Sequence, residues 1–327
     1  MTLRLRVAQS AWESTVVSAA AGYGSVVPVV KGTGYGFGCS ALMPIASRIS
    51  NEFGNGFIAV GSVFETADVP EGHTAMVLTP HLGELPVTLA RDAVLTVGSN
   101  EHVDALAQQG WDSPVVVKVL SSMRRHGIDR SKASDLIAHA NASGLEVIGL
   151  AYHPPLVTDT EDNFDEVRGL LDRLPPNSTV FLSHLQSDAF KALQREFEGM
   201  QLSIRIGTGL WHADKSLMHL SADVLSVQEV EAESEIGYHR VNMSKPGVVA
   251  VIGAGSSHGV AALDGGLSPF HYAKRRLDMI EKPHMHTSMV FIPEDMPAPH
   301  VGDWIDVQRP LTATSPDELH WVSASAL

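Results

Sequence analysis

Lys31 follows an apolar run and opens a glycine-rich stretch, VVKGTGYGFG (29–38), with glycines at 32, 34, 36 and 38. A primary amine in that place can attack a carbonyl, and the glycines let the backbone approach a ligand closely. Far along the chain, IRIGTG (204–209) brings Arg205, Gly207 and Thr208 together, where backbone amides can cradle a phosphate. Arg125 in KVLSSMRRHG, His153 in LAYHPP, and Gln186 and Ser187 in SHLQS likewise follow apolar runs. Each signal has a plain structural reading. A lysine after a strand can be a solvated surface group, Gly-Thr-Gly can be only a turn, and His153 before two prolines can cap a sheet end. Taken together, an amine facing a phosphate cradle suits a phosphate-bearing aldehyde held as a Schiff base, which means pyridoxal 5′-phosphate.

Those residues need a scaffold that presents strand ends on one rim. Eight apolar runs, at 26–30, 57–63, 75–79, 93–98, 115–120, 146–152, 179–184 and 202–207, alternate with stretches of helical period such as 130–142, 163–174 and 187–197. Near-continuous apolar strands are expected where both faces of a parallel sheet are covered. Eight such units predict an α/β fold, a (β/α)8 TIM-type barrel over residues 1–215, with its chemistry at the C-terminal strand ends. The lysine and the phosphate cradle then share one rim. After residue 215 the character changes. Strand-like runs at 224–233, 247–253, 289–293, 304–307 and 320–323 predict a mostly β C-terminal domain over 216–327.

Composition narrows the class further. The 327 residues are 44% hydrophobic and 18% charged, enough for a large core and unlike a disordered chain. The net charge of −14 argues against nucleic acid or an anionic membrane as a partner. A single cysteine, Cys39, excludes a disulfide framework and multi-cysteine metal sites. Glu13 interrupts any apolar core of a leader, and no apolar run approaches the ~20 residues that span a bilayer. A soluble, cytoplasmic protein is expected. The tripeptides starting at Asn141 and Asn177 match glycosylation sequons, but without a secretion signal they carry no weight.

At this level the sequence resembles the alanine racemase family, the fold-type III pyridoxal-phosphate enzymes. VVKGTGYGFG resembles the cofactor-lysine segment, with Lys31 at the lysine and Tyr35 at the following tyrosine. VVVKVLSSMRRHG (115–127) resembles the segment that places Lys118, Met123 and Arg125. GLAYHP (149–154) resembles the histidine segment with His153, and IRIGTGLW (204–211) the segment whose arginine, here Arg205, faces the pyridine nitrogen. ESEIGYHRVN (233–242) and HVGDWIDV (300–307) resemble parts of the family's β domain. The resemblance implies racemisation or epimerisation at the α-carbon of an amino acid, with Lys31 as the cofactor lysine. It implies Arg125 on the substrate carboxylate or a neighbouring polar group, and Tyr35 and Ser187 at the phosphate, beside the Gly207–Thr208 cradle. Lys118 supports Arg125; its family counterpart is sometimes carbamylated. A head-to-tail homodimer is implied by the resemblance alone.

Departures from the pattern bear on the reaction. The loop expected to carry a catalytic tyrosine reads IGAGSSHG (252–259), with Ala254 at that position. The family's Met-Asp-Gln segment reads Met285-His286-Thr287, and the final tyrosine segment has no match. Racemisation needs an acid/base group on each side of the reacting carbon. His258, or alternatively His286, is the candidate replacement, since imidazole is the side chain able to take up and release a proton near neutral pH. Histidines 258, 284 and 286 could instead bind a metal, or be ordinary surface histidines in a chain of 16. Two further readings remain open: a one-sided reaction on the same cofactor (decarboxylation, aldol cleavage or dehydration), and a non-catalytic cofactor binder.

Overall fold

A computed structural model describes residues 2–156 and 160–327. The chain opens on strand β1 (Leu3–Ala8), and helix α1 (Gln9–Tyr23) carries it into the barrel. There follow β2 (Val26–Pro28), α2 (Cys39–Phe53), β3 (Phe57–Val60), β4 (Thr74–Val77), β5 (Leu95–Val97), α3 (Asn100–Gln108) and β6 (Val115–Lys118). The barrel is completed by α4 (Ala133–Ala142), β7 (Val147–Ala151), α5 (Thr160–Leu171), β8 (Thr179–Leu182), α6 (Ser187–Glu196), β9 (Gln201–Ile206) and the short α7 (Thr208–Trp211). All eight apolar runs form strands. The helix expected over 163–174 ends at Leu171, four residues before the Pro175-Pro176 pair that cannot continue it.

The strands pair in parallel in the ring order β2-β9-β8-β7-β6-β5, and β3 pairs with β4. Bridges Val29–Ala59 and Met76–Val94 join the two sets, so the ring closes. Its strands are nearly fully buried: Val26, Ile58, Val77, Val97, Val117, Val180 and Ile204 are each 0% exposed. The buried Trp211 of α7 donates its indole N–H to the Val29 carbonyl at 2.7 Å, which fastens the β2–β9 seam.

The second unit is β-rich. It contains β10 (Met218–Val230), β11 (Glu235–Ile236), β12 (Val241–Asn242), β13 (Gly247–Ile252), β14 (Phe270–Tyr272) and β15 (Arg275–Arg276). Strands β16 (Asp278–Met279), β17 (Ser288–Pro293), β18 (Trp304–Val307) and β19 (Glu318–Val322) complete it. A division at residue 215 does not separate the units, because the stretch up to Ser14 and the segment Thr33–Gly38 group with Asp214–Leu327. The reason is pairing: β1 lies antiparallel to β10 and parallel to β19, burying Leu3, Leu5 and Val7. Phe37 packs with Trp12 and Trp321, at ring-centroid distances of 5.0 and 6.3 Å, in a three-ring cluster within the same unit. Among the described residues, no helix is long and apolar enough to cross a membrane.

Candidate active site

The site is assembled strand by strand at the C-terminal rim of the barrel. Beyond β2, the Val30 amide still pairs with the Ala59 carbonyl at 2.8 Å, and Lys31 is the first residue past that contact. Its base is held by Glu65, whose carboxylate accepts the amides of Gly61 (2.6 Å), Gly32 (3.1 Å) and Ser62 (3.3 Å). Gly61 packs beneath the lysine: a Cβ there would stand 3.2 Å from Lys31 Cβ and 2.9 Å from the Glu65 carboxylate. Lys31 is solvent-accessible, yet its amine pKa is lowered by packing around it and by the charges of Arg125 and Arg205, against the opposing pull of Glu65.

Lys118 ends β6 and is only 4% exposed. Burial, with Arg205 and Arg125 nearby, pushes its pKa down to about 6. The chain then makes a loop that returns to the strand it left. The Ile128 amide donates to the Lys118 carbonyl, and the Leu120 amide to the Ile128 carbonyl, both at 2.8 Å. Gly127 has φ +135, and a Cβ would lie 2.9 Å from both the Lys118 carbonyl and the Leu120 amide. Only glycine fits that approach without strain. Arg125 rides this loop in an exposed position.

At the ends of β7 and β8 lie two histidines, with His153 and His184 rings 4.2 Å apart. His184 has φ +57 and bonds through Nδ1 to the Pro154 carbonyl at 2.9 Å, so that nitrogen carries the proton. Burial, Arg205 and His184 push His153 down to about 2, so it is neutral at physiological pH. Arg205 on β9 is 6% exposed and donates to the carbonyls of Tyr152 (2.8 Å) and Leu182 (3.3 Å). Its pKa is lowered to about 10 by burial and by Arg125. The chain then turns through Gly207, whose carbonyl accepts the Leu210 and Trp211 amides. The first amides of such a turn, at Thr208 and Gly209, have no partner inside it.

Arg125 and Arg205 are thus within electrostatic range of both Lys31 and His153, with Gly207 and Thr208 directly after Arg205. Among the described residues, neither Lys31, Lys118, Arg125 nor Arg205 is ion-paired with a carboxylate. A rim of cations without acidic partners, one lysine of weakened basicity and unpaired backbone amides is suited to an anionic ligand bearing an electrophilic carbonyl. Ser187 begins α6, with its Cβ 3.8 Å from where a Cβ on Gly22 would lie.

Tyr35 and His258 group with the β-rich unit. Tyr35 is buried with φ +57. His258 is 5% exposed; its Nδ1 accepts the Gly255 amide at 3.0 Å, and its Nε2 donates to Asp317 at 3.1 Å. Asp317 in turn accepts the Leu3 amide at 2.8 Å. Both ring nitrogens of His258 are therefore occupied. His284 pairs with Glu281 at 2.6 Å, and His286 Nδ1 lies 3.1 Å from the Ser257 hydroxyl. Among the described residues, no group of three or more His, Cys, Asp or Glu side chains is arranged to hold a metal.

Sequence reasoning passed over Glu65, Glu166, Tyr152 and His184. Glu65 was within reach of it, since Ser62-x-x-Glu65 has capping-box spacing. Glu166 carried no signal, being one acid among several on a helix.

The sequence profile of the alanine racemase N-terminal domain matches residues 13–214. The fold is shared with the alanine racemase of Bartonella henselae, solved with covalently bound pyridoxal phosphate: 17% identity and TM-score 0.75, covering 98% of this chain and 100% of that one. The enzyme from E. faecalis aligns at 16% identity and TM-score 0.71, over 98% of each chain. That from Bacillus anthracis, solved with bound L-Ala-P, aligns at 18% identity and TM-score 0.66, over 99% of this chain and 88% of that one. No curated protein matches the chain.

Proposed function

Because the chain belongs to the alanine racemase N-terminal-domain family, we propose that it is a pyridoxal-phosphate-dependent enzyme that racemises or epimerises an amino acid at its α-carbon. The observation that carries this reading is the unpaired cationic rim around Lys31. That rim fits the cofactor by its donor chemistry. Lys31 would bind the aldehyde, Arg205 would face the ring nitrogen, and the amides after Gly207 together with Thr208 would take the phosphate. His153 and Ser187 complete the barrel's part of the proposed binding set. Bound there, pyridoxal phosphate supplies a carbonyl for the substrate's amino group and a ring that delocalises negative charge from the α-carbon.

The chain's own residues do the rest. Arg125, on its exposed loop, binds the substrate carboxylate with two parallel N–H groups. Lys31 Nζ, its proton affinity already weakened, takes the α-proton from its own side in one direction of the reaction and delivers a proton there in the other. Arg205 is held by two backbone carbonyls and keeps its charge at neutral pH, which opposes protonation of a nitrogen set against it. His153, uncharged, fills the rim beside it without adding a competing cation. The neutral amine of Lys118 is also the form that carbamylation requires. The substrate is a free amino acid, and the assembly a cytoplasmic homodimer, in this reading.

One observation favours a second reading. Racemisation needs a second proton-transfer group, and His258, the expected one, has both nitrogens engaged by Gly255 and Asp317. A reaction that needs only the Lys31 side, such as decarboxylation, aldol cleavage or dehydration, dispenses with it. The test common to both is borohydride reduction of the cofactor-loaded protein followed by peptide mass mapping. A pyridoxyl adduct on the peptide containing Lys31, absent from Lys31→Ala, is the expected outcome. An adduct elsewhere, or none, sinks both readings.

A further inference from the structure

Arg125 and Arg205 come from different elements, yet one acidic side chain outside the rim is linked to both. Glu166 on α5 accepts the Ser122 amide (2.9 Å) and hydroxyl (2.6 Å), and also the Tyr152 hydroxyl (2.6 Å). Ser122 stands three residues before Arg125 in the loop that leaves β6. Tyr152 is the residue whose carbonyl receives the Arg205 guanidinium at 2.8 Å. A parallel stitch runs beside it, from the Ser121 hydroxyl to the His153 carbonyl at 2.7 Å. The base of the loop is fixed by backbone pairing at Lys118, Leu120 and Ile128. Its shoulder on the β7 side is fixed through Ser121 and the Glu166 contacts, while the His126 ring bonds the Leu78 backbone on the other side.

We propose that Glu166 is a positioning residue: it ties the loop carrying Arg125 to the end of β7, so that both arginines are set from one anchor. This rests on the functional reading above, in which Arg125 binds the substrate carboxylate. The chemistry is suited to the task. Three donors converge on the carboxylate, and their hydrogen bonds to Ser122 and Tyr152 hold it ionised despite its burial. An ionised acceptor makes stronger hydrogen bonds than a neutral one. Its partners are an amide and two hydroxyls rather than a cation, so its role is to orient rather than to neutralise. Loss of the anchor leaves Arg125 on a hinge and weakens carboxylate binding, while Lys31, on the opposite side of the ring, keeps its place.

The test compares wild type with Glu166→Gln, Glu166→Asp, Ser122→Ala and Tyr152→Phe, the last two guarding against a fold defect in the first. Amide hydrogen exchange is followed across 119–128, with the cofactor-loaded proteins also assayed for KM and kcat on an amino acid that the wild type turns over. Expected are faster exchange at 121–127 in Glu166→Gln, a KM raised about 10-fold, kcat within about 3-fold, and unchanged affinity for pyridoxal phosphate. Ser122→Ala gives a smaller change in the same direction, and Glu166→Asp restores part of it. Unchanged exchange in Glu166→Gln overturns the proposal, as does faster exchange with unaltered KM. If the wild type binds no cofactor and turns over no amino acid, the functional reading fails, and the substrate-positioning role of Glu166 falls with it. Exchange then decides separately whether the anchor itself exists.

Discussion

At the scale of single residues, the site is built from basic groups kept short of their usual partners. Lys118 shows this most directly. Unfolded, its amine holds a proton up to its ordinary value of 10.5; folded, it releases that proton near pH 6. Between those values folding must expel a proton, so stability rises with pH across that window, and the cost of burial is complete below about pH 6. Replacing Lys118 by methionine removes the cost. We expect Lys118→Met to melt a few degrees higher than wild type near pH 6, with the gap closing as pH approaches 10, a difference on the order of a few kcal/mol at most. Thermal melts across pH decide this. A gap independent of pH contradicts the description of Lys118 as a buried amine under cationic pressure.

At the scale of elements, loops rather than strands place the chemistry. His258 joins the 255–258 turn to Asp317, and Asp317 joins the same point to β1 through the Leu3 amide. Removal of the imidazole leaves the Gly255 amide and one carboxylate interaction unmet, worth about 1–3 kcal/mol. His258→Ala is therefore expected to lower the melting temperature by several degrees. A structural role predicts that any loss of turnover follows loss of folded protein. Turnover abolished in one direction at unchanged stability is the signature of an acid/base group instead. The same scale shows what sequence can convey. Eight barrel strands and five strands of the second unit are visible as apolar runs, because burial on both faces or one leaves a local pattern. The partners of β1 are not visible. LRLRVA alternates as a strand should, but nothing local tells that its neighbours lie more than 200 residues away, at β10 and β19. The rim residues were legible for a related reason. Lys31, Arg125, His153 and Arg205 each interrupt or follow an apolar run, whereas Glu166 and Tyr152 look like any helix acid and any strand aromatic.

At the scale of the whole molecule, a chain of net charge −14 places Lys31 and Lys118 within range of Arg125 and Arg205 at one barrel mouth, none of the four paired with a carboxylate among the described residues. Under the proposed function, that contrast favours ligands that carry a carboxylate or a phosphate at the mouth. The family and fold are settled by the profile match and the shared architecture with solved alanine racemases. The reaction is decided by proton bookkeeping at the α-carbon. The most direct measurement is α-proton exchange: the cofactor-loaded protein incubated in heavy water with a panel of L- and D-amino acids, with mass and chirality read together. The account predicts deuterium at the α-carbon of at least one amino acid, with inversion, and loss of the signal in Lys31→Ala. Exchange with retained chirality limits the chemistry to the Lys31 side and favours the one-sided reactions. Absence of exchange across the panel, from protein that demonstrably holds the cofactor on Lys31, contradicts the account.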